Sequence, residues 1–369
     1  MSDERSGGPA ERPASVRPGG SAEPPLSALT TLRVGGPAES MVIAETEAEL
    51  IDAVATADEA GQPVTVLGGG SNVVVADAGL PGTVVVVRTR GIQVTTDACS
   101  GAWVRVAAGE PWDDLVSHAV AEGWSGLEAL SGIPGLSGGT PIQNVGAYGQ
   151  EVADTIARVT AYDRVTRRLE VLAAGDCGFG YRSSRFKSDP GRYVVVSVDF
   201  QLRLGDLSAP VGYAELADHL GVGVGERAPA AEVRAAVLEL RRGKGMVLDP
   251  VDHDTWSVGS FFTNPMIPAD AVPEGAPAWP VDAINIDAVD RGLVKTSAAW
   301  LVERAGFPRG YPEGGVARVS TKHTLAITNR GGATASDVIA LARTIRDGVR
   351  DRFGITLVPE PVLLGCSLD

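Results

Sequence analysis

Val64-Thr65-Val66-Leu67-Gly68-Gly69-Gly70-Ser71-Asn72-Val73-Val74-Val75-Ala76-Asp77 sets a triple glycine and a Ser-Asn pair between two β-branched runs. Three glycines in a row cost conformational entropy on folding. They fit where the backbone must take positive φ and come close to a ligand. Backbone N–H groups freed in such a turn form an anion nest, and the Ser71 hydroxyl and Asn72 amide add donors. Gly68, Gly69, Gly70, Ser71 and Asn72 therefore read as a diphosphate cradle. A Walker loop would need Gly-Lys-Ser/Thr, and no Lys follows. A dinucleotide fingerprint would need glycine at position 73, which is Val73. It would also open a helix, and Val-Val-Val is a poor helix start. The phosphates are expected on a strand–turn–strand without a helix dipole. The plain alternative is a glycine-rich surface turn.

A second unusual stretch runs from Gly126 to Gly149, with seven glycines and two prolines that forbid long regular structure. Its interspersed apolar residues are atypical of a solvated linker, so it reads as a structured loop around a ligand.

The 369 residues suffice for two or three domains with real cores. The formal net charge of −14 argues against a general nucleic-acid or anionic-membrane binder, since both need a basic face. Anionic ligands would have to be held by a few placed Lys and Arg. Cys99, Cys177 and Cys366 are widely spaced and form no CxxC pair, which suggests neither a disulfide framework nor a zinc site. The four histidines show no ligand spacing, so no metal is expected. No apolar run is long enough to span a bilayer, and no membrane insertion is expected.

Residues 1–26 are rich in Ser, Gly, Pro, Glu and Arg and read as a disordered tail. Thr30 to Gly36 reads as a strand or extended entry. Helical spacing marks Glu47–Ala60, Trp112–Glu122, Tyr213–Leu220, Ala230–Arg242, Thr296–Ala305 and Ser336–Phe353. Strands are expected at Val64–Leu67, Thr83–Arg88, Trp103–Ala107, Arg158–Asp163, Arg168–Leu172 and Tyr193–Leu202. The segment Ile355–Leu364 is expected to return as a strand.

Four stretches in order carry a family resemblance: Gly68-Gly69-Gly70-Ser71-Asn72, Ile142-Gln143-Asn144-Val145-Gly146-Ala147-Tyr148-Gly149, Gly180-Tyr181-Arg182-Ser183-Ser184 and Gly259-Ser260-Phe261-Phe262-Thr263-Asn264-Pro265. Pro359-Glu360-Pro361 completes the set. From about residue 27 to its end, the chain resembles the type I UDP-N-acetylenolpyruvoylglucosamine reductases, flavoenzymes of peptidoglycan precursor synthesis. The resemblance implies an α+β fold, with an FAD-binding domain of the vanillyl-alcohol-oxidase (PCMH) type made of two subdomains and a separate α+β substrate-binding domain. Residues 27–90 with 354–369 would form the first FAD subdomain, 91–245 the second, and 246–353 the substrate domain. It implies a cytoplasmic enzyme in which NADPH reduces noncovalent FAD, and the flavin then reduces UDP-N-acetylglucosamine enolpyruvate to UDP-N-acetylmuramate.

The resemblance also assigns roles. Arg182 would meet the substrate carboxylate and its developing charge, as a permanent planar cation can. Glu360, protonated through a raised pKa, would hydrogen-bond the enediolate oxygen. Ser260 would protonate C2 of the enolate-like carbon. The cofactor would lie against Arg33, the glycine turn, Gly132, Ile133, Pro134, Gly138, Gly139, Gln143, Asn144, Gly146, Ala147 and Tyr148. Substrate contacts would come from Tyr181, Tyr213, Lys244, Asn264 and Arg304. Arg304 stands where related enzymes often carry Gln, so a donor is kept and a charge added. Taken singly, Arg182 would read as a surface ion-pair partner, Ser260 as a capping or buried hydroxyl, and Glu360 as an edge-strand charge. An oxidase of the same flavin superfamily and a non-catalytic sugar-nucleotide sensor are the competing readings.

Overall fold

The computed structural model describes residues 24–281 and 291–369. Most of the expected disordered tail, residues 1–23, lies outside the described residues.

The valine run Val84–Val87 shows how the first layers form. Leu80–Val87 is the central strand of a three-stranded parallel sheet, between Ala38–Ala44 and Val64–Leu67. Val84 and Val86 join Leu26, Met41, Leu67 and Leu80 on one face. Val85 and Val87 join Leu50 and Val54 on the other, with Tyr162, Val194 and Val196 of the neighbouring sheet. A strand buried on both sides needs a continuous apolar run rather than alternation. Leu50 and Val54 belong to the helix Glu47–Glu59, which starts at a capping box between Thr46 and Glu49.

The second sheet is antiparallel, in the order Arg168–Ala173, Ile156–Asp163, Tyr193–Leu204, Gly101–Ala107, Ile92–Asp97. The helix Trp112–Ala121 packs on it, with Trp112 and Phe200 in tilted ring contact at 5.9 Å. Full burial of side chains of this size contributes about 1.5–3 kcal/mol each before the entropy of ordering them.

A third core gathers Phe261, Phe262 and Leu301 with the apolar side of the helix Ala335–Phe353. Its sheet is Ser257–Ser260, Ala326–Asn329, Ala317–Val319, all antiparallel. Leu32, Val34 and Val74 reach into this core from the start of the chain. The chain's end returns too: Val362–Leu364 pairs in parallel with Val73–Val75, the strand leaving the glycine turn.

Three expectations need correction. Thr30–Gly36 is an entry and not a strand: Thr30–Leu32 bend and turn, and 33–36 pair with no ladder, because the 3₁₀ turn Leu26–Leu29 closes on Gly35 and Gly36. Thr296 ends the strand Leu293–Thr296, and the helix starts only at Ala298, capped by Ser297. Within Ile355–Leu364 only Val362–Leu364 is strand, since Pro359 and Pro361 lack the N–H a ladder needs. The strands Ala38–Ala44 and Ile92–Asp97 were not anticipated. The latter is a mostly exposed edge strand whose Ile92-Gln93-Val94-Thr95 alternation is too short to stand out.

Candidate active site

The three layers meet at a cleft of about 580 Å³. Its floor is the turn Gly68–Asn72, between the strands Val64–Leu67 and Val73–Val75. The three glycines serve different ends. A Cβ on Gly70, which has φ +61°, would lie 2.0 Å from the Leu29 carbonyl oxygen. One on Gly69 would lie 2.7 Å from the Cα of Gly135. These two are glycine because other backbone packs against them. A Cβ on Gly68 would meet only Leu136, at 3.8 Å, so its backbone faces the cleft.

The opposite wall is the Gly132–Tyr148 loop. Ile133, Pro134, Gly139, Gln143, Gly146, Ala147 and Tyr148 line the cleft. A Cβ on Gly139 would meet nothing within 4 Å, which leaves its backbone open to a ligand. Asn72 Nδ2 donates to Gln143 Oε1 at 2.8 Å and ties the two walls together. Bare backbone on both walls and a narrow gap between them suit a flat dinucleotide cofactor.

The third wall is charged. Arg182 donates from Nε to Glu360 Oε1 at 3.1 Å, from Nη2 to the Gly146 carbonyl at 2.7 Å and from Nη1 to the Asn144 carbonyl at 3.4 Å. Its backbone φ is +50°, in the left-handed region that non-glycine residues rarely adopt. Glu360 hangs between Pro359 and Pro361, with its N–H bonded to the Phe261 carbonyl at 2.9 Å. Burial pushes its carboxyl above the usual carboxylate range, against the opposing pull of Arg182 and Lys187. Ser260 lines the same cleft. Between Ser257 and Ser260 its strand carries one residue more than its partner, a bulge at Gly259 with φ +76°, which re-aims the residue that follows.

Tyr213 and Tyr148 meet edge to face at 5.5 Å, and Lys244 Nζ stands 5.6 Å from the Tyr148 ring and 2.5 Å from Glu215 Oε2. All three of Tyr148, Tyr213 and Lys244 line the cleft. Tyr181 and Asn264 are hydrogen-bonded to one another and do not themselves line the cleft.

Five more anticipated residues do not line the cleft. Asn144 is buried, and its Nδ2 donates to Glu151 Oε2 at 2.6 Å and to the Gly180 carbonyl at 3.1 Å. It fixes the segment that carries Arg182. Gly138 is packed on Ala108, and Gly132 on Leu238 and Val247. Arg33 lies over the Trp256 ring at 3.7 Å. Arg304 stacks on Trp300 at 5.6 Å and does not line the cleft, because its helix faces the third core.

Lys187, Arg241 and His323 line the cleft without having been anticipated. Lys187 Nζ donates to the Arg182 carbonyl at 3.1 Å, and burial lowers its pKa. Lys187 lies three residues after the Gly180–Ser184 motif, and Arg241 three residues before Lys244, so proximity to a motif was the available signal. His323 had none.

Comparison with known proteins decides the family. Residues 249–364 match the family model of the UDP-N-acetylenolpyruvoylglucosamine reductase C-terminal domain, and residues 38–171 match an FAD binding domain. The UDP-N-acetylenolpyruvoylglucosamine reductase of Cutibacterium acnes is 57% identical over 351 residues, covering 95% of this chain and 91% of the relative. The chain belongs to the UDP-N-acetylenolpyruvoylglucosamine reductase family. The enzyme of that name from Salinispora arenicola is 56% identical, covering 94% of this chain and 96% of its own. The crystal structure of UDP-N-acetylenolpyruvylglucosamine reductase from Thermus caldophilus superposes with a TM-score of 0.61 at 29% identity, covering 92% of this chain and 97% of that one. The chain is thus an FAD-dependent oxidoreductase with an α+β FAD-binding part. Among the described residues no group of His, Cys, Asp and Glu could hold a metal ion, and no helix is long and apolar enough to cross a membrane.

Proposed function

We propose that Arg182, Ser260 and Glu360 form the reacting end of the cleft, while the glycine turn and the 132–148 loop hold the cofactor. As a member of its family the chain reduces UDP-N-acetylglucosamine enolpyruvate to UDP-N-acetylmuramate with NADPH as hydride donor. Bound FAD supplies the hydride relay between the two. The observation that carries the residue roles is the Arg182–Glu360 contact, made across 178 residues of sequence in the cleft that Ser260 lines.

The chain's own groups then act as follows. Arg182 is held by two carbonyls and Glu360, so its cation is positioned before substrate arrives. It binds the enolpyruvyl carboxylate and stabilises charge that builds there. Glu360 in its acid form donates to the same carboxylate oxygen, which burial favours. Ser260 gives its hydroxyl proton to C2. Tyr181, Tyr213, Lys244 and Asn264 orient the nucleotide sugar, with Lys244 at the diphosphate. Gly68–Asn72, Ile133, Pro134, Gly139, Gln143, Gly146, Ala147 and Tyr148 face the FAD, supported from behind by Arg33, Gly132, Gly138 and Asn144.

We also keep the division into 27–90 with 354–369, 91–245 and 246–353. The pairing of Val362–Leu364 with Val73–Val75 supports a discontinuous first subdomain. The water-soluble nucleotide reactants fit a cytoplasmic site of action.

Ser260→Ala tests the roles. Anaerobic stopped-flow absorbance should show flavin reduction by NADPH nearly unchanged, and reoxidation by the enolpyruvyl substrate slowed by about 10²–10⁴-fold. Equal slowing of both halves would remove Ser260 from the acid role.

A further inference from the structure

His323 lines the cleft near Lys244, yet the scheme above gives it no task. It sits between the strands Ala317–Val319 and Ala326–Asn329, on a segment that the buried Asp254 holds in place. Asp254 accepts from Ser320 Oγ at 2.9 Å, the Thr321 N–H at 2.8 Å, Thr321 Oγ1 at 2.6 Å and Arg330 Nη1 at 2.9 Å. Ser320 Oγ in turn accepts the His323 N–H at 3.2 Å. A ring carried on so constrained a segment is positioned, not merely accommodated.

Its tautomer is fixed as well. Nδ1 accepts the Leu325 backbone N–H at 3.1 Å, and a ring nitrogen that accepts carries no proton. The proton of the neutral ring is therefore on Nε2, which leaves one N–H to donate. Lys244, Arg241 and Arg309 direct positive charge at the ring, and Glu215 directs negative charge. Arg241 Nε is buried and, among the described residues, has no hydrogen-bond partner. Arg241 lines the same cleft, and a guanidinium, an ammonium and a ring N–H around one part of it call for an anion with several oxygens.

We propose that His323 donates its Nε2–H to the diphosphate of the UDP-sugar substrate, alongside Lys244 and Arg241. The proposal rests on the reading of Lys244 as a diphosphate contact. It has a consequence for pH. In the free protein, burial and the three cations pull the imidazole pKa down to about 4. A bound diphosphate offsets the field of those cations but not the burial, so the ring takes a second proton, on Nδ1 and at the expense of the Leu325 N–H, more readily in the complex than in the free enzyme. A group whose pKa is higher in the complex makes binding tighten as pH falls toward and below that higher value.

The test is calorimetric titration of the FAD-loaded enzyme with UDP-N-acetylglucosamine, a diphosphate diester with no proton to exchange near neutrality. Wild-type affinity should tighten as pH falls below about 6.5 toward the free-enzyme value of about 4. His323→Leu should weaken it about tenfold and abolish that slope, as loss of a hydrogen bond to a charged group would. His323→Gln keeps a donor but cannot titrate. It should bind like wild type at the alkaline end and show no slope. Flavin content and melting temperature check that each variant is folded, and if the leucine variant fails, the slope of the glutamine variant still decides. Wild-type affinity and slope in both variants would overturn the proposal. If Lys244→Ala is equally silent, the diphosphate is misplaced and the reading beneath the proposal falls. A parallel titration with NADP⁺ separates the other source: a loss confined to NADP⁺ would assign His323 to the dinucleotide and overturn the UDP assignment.

Discussion

At one end of the cleft Gly68 and Gly139 offer backbone with open space before it, while at the other Arg182, Lys187, Lys244 and Glu360 offer charge. The two ends obey different rules. Backbone N–H groups do not titrate, so the glycine end should bind its ligand alike at any pH that leaves the fold intact. It is intolerant of added volume, because chain packs on chain behind it. The charged end depends instead on a balance among burial, Arg182, Lys187 and Glu360. Cofactor retention and substrate chemistry should therefore fail separately.

The sharpest way to break this contrast lies at the glycine end. Gly70→Ala forces a methyl into the Leu29 carbonyl oxygen at a positive φ, which should cost on the order of 3–5 kcal/mol. Thermal denaturation with flavin fluorescence should show unfolding and FAD loss together. Gly139→Ala is the milder companion. Its methyl meets no protein atom within 4 Å, so stability should stay within about 0.5 kcal/mol of wild type. FAD affinity should still fall, by roughly tenfold, because the methyl occupies space meant for the ligand. If both substitutions changed stability equally and neither changed FAD affinity, the glycine end would be structural packing alone.

The glycine end was the more legible of the two in the sequence. A triple glycine between β-branched runs has few explanations, and the turn lies where that reading put it. The reading was coarse about cause, since Gly69 and Gly70 are needed by Gly135 and Leu29, contacts that no local pattern reveals. The helices Glu47–Glu59 and Ala335–Phe353 were legible from apolar spacing. The charged end was not legible from residue types. Arg182 and Glu360 meet only because the last strand returns to Val73–Val75, a pairing visible in neither segment alone. Family resemblance supplied them, and it missed His323, whose placement depends on Asp254 far away in sequence.

The central claim is that Glu360 acts on the substrate in its acid form, and the pH dependence of the substrate half-reaction tests it most directly. Burial raises the Glu360 pKa, so the acid form persists above the usual carboxylate range and disappears as pH rises through the raised value. In anaerobic stopped-flow, reoxidation of the reduced wild-type enzyme by enolpyruvyl substrate should slow as pH rises through that value. Glu360→Gln, which keeps a donor but cannot ionise, should be slower and flat over the same range, with reduction by NADPH unaffected. The same falling limb in Glu360→Gln as in wild type would contradict the account.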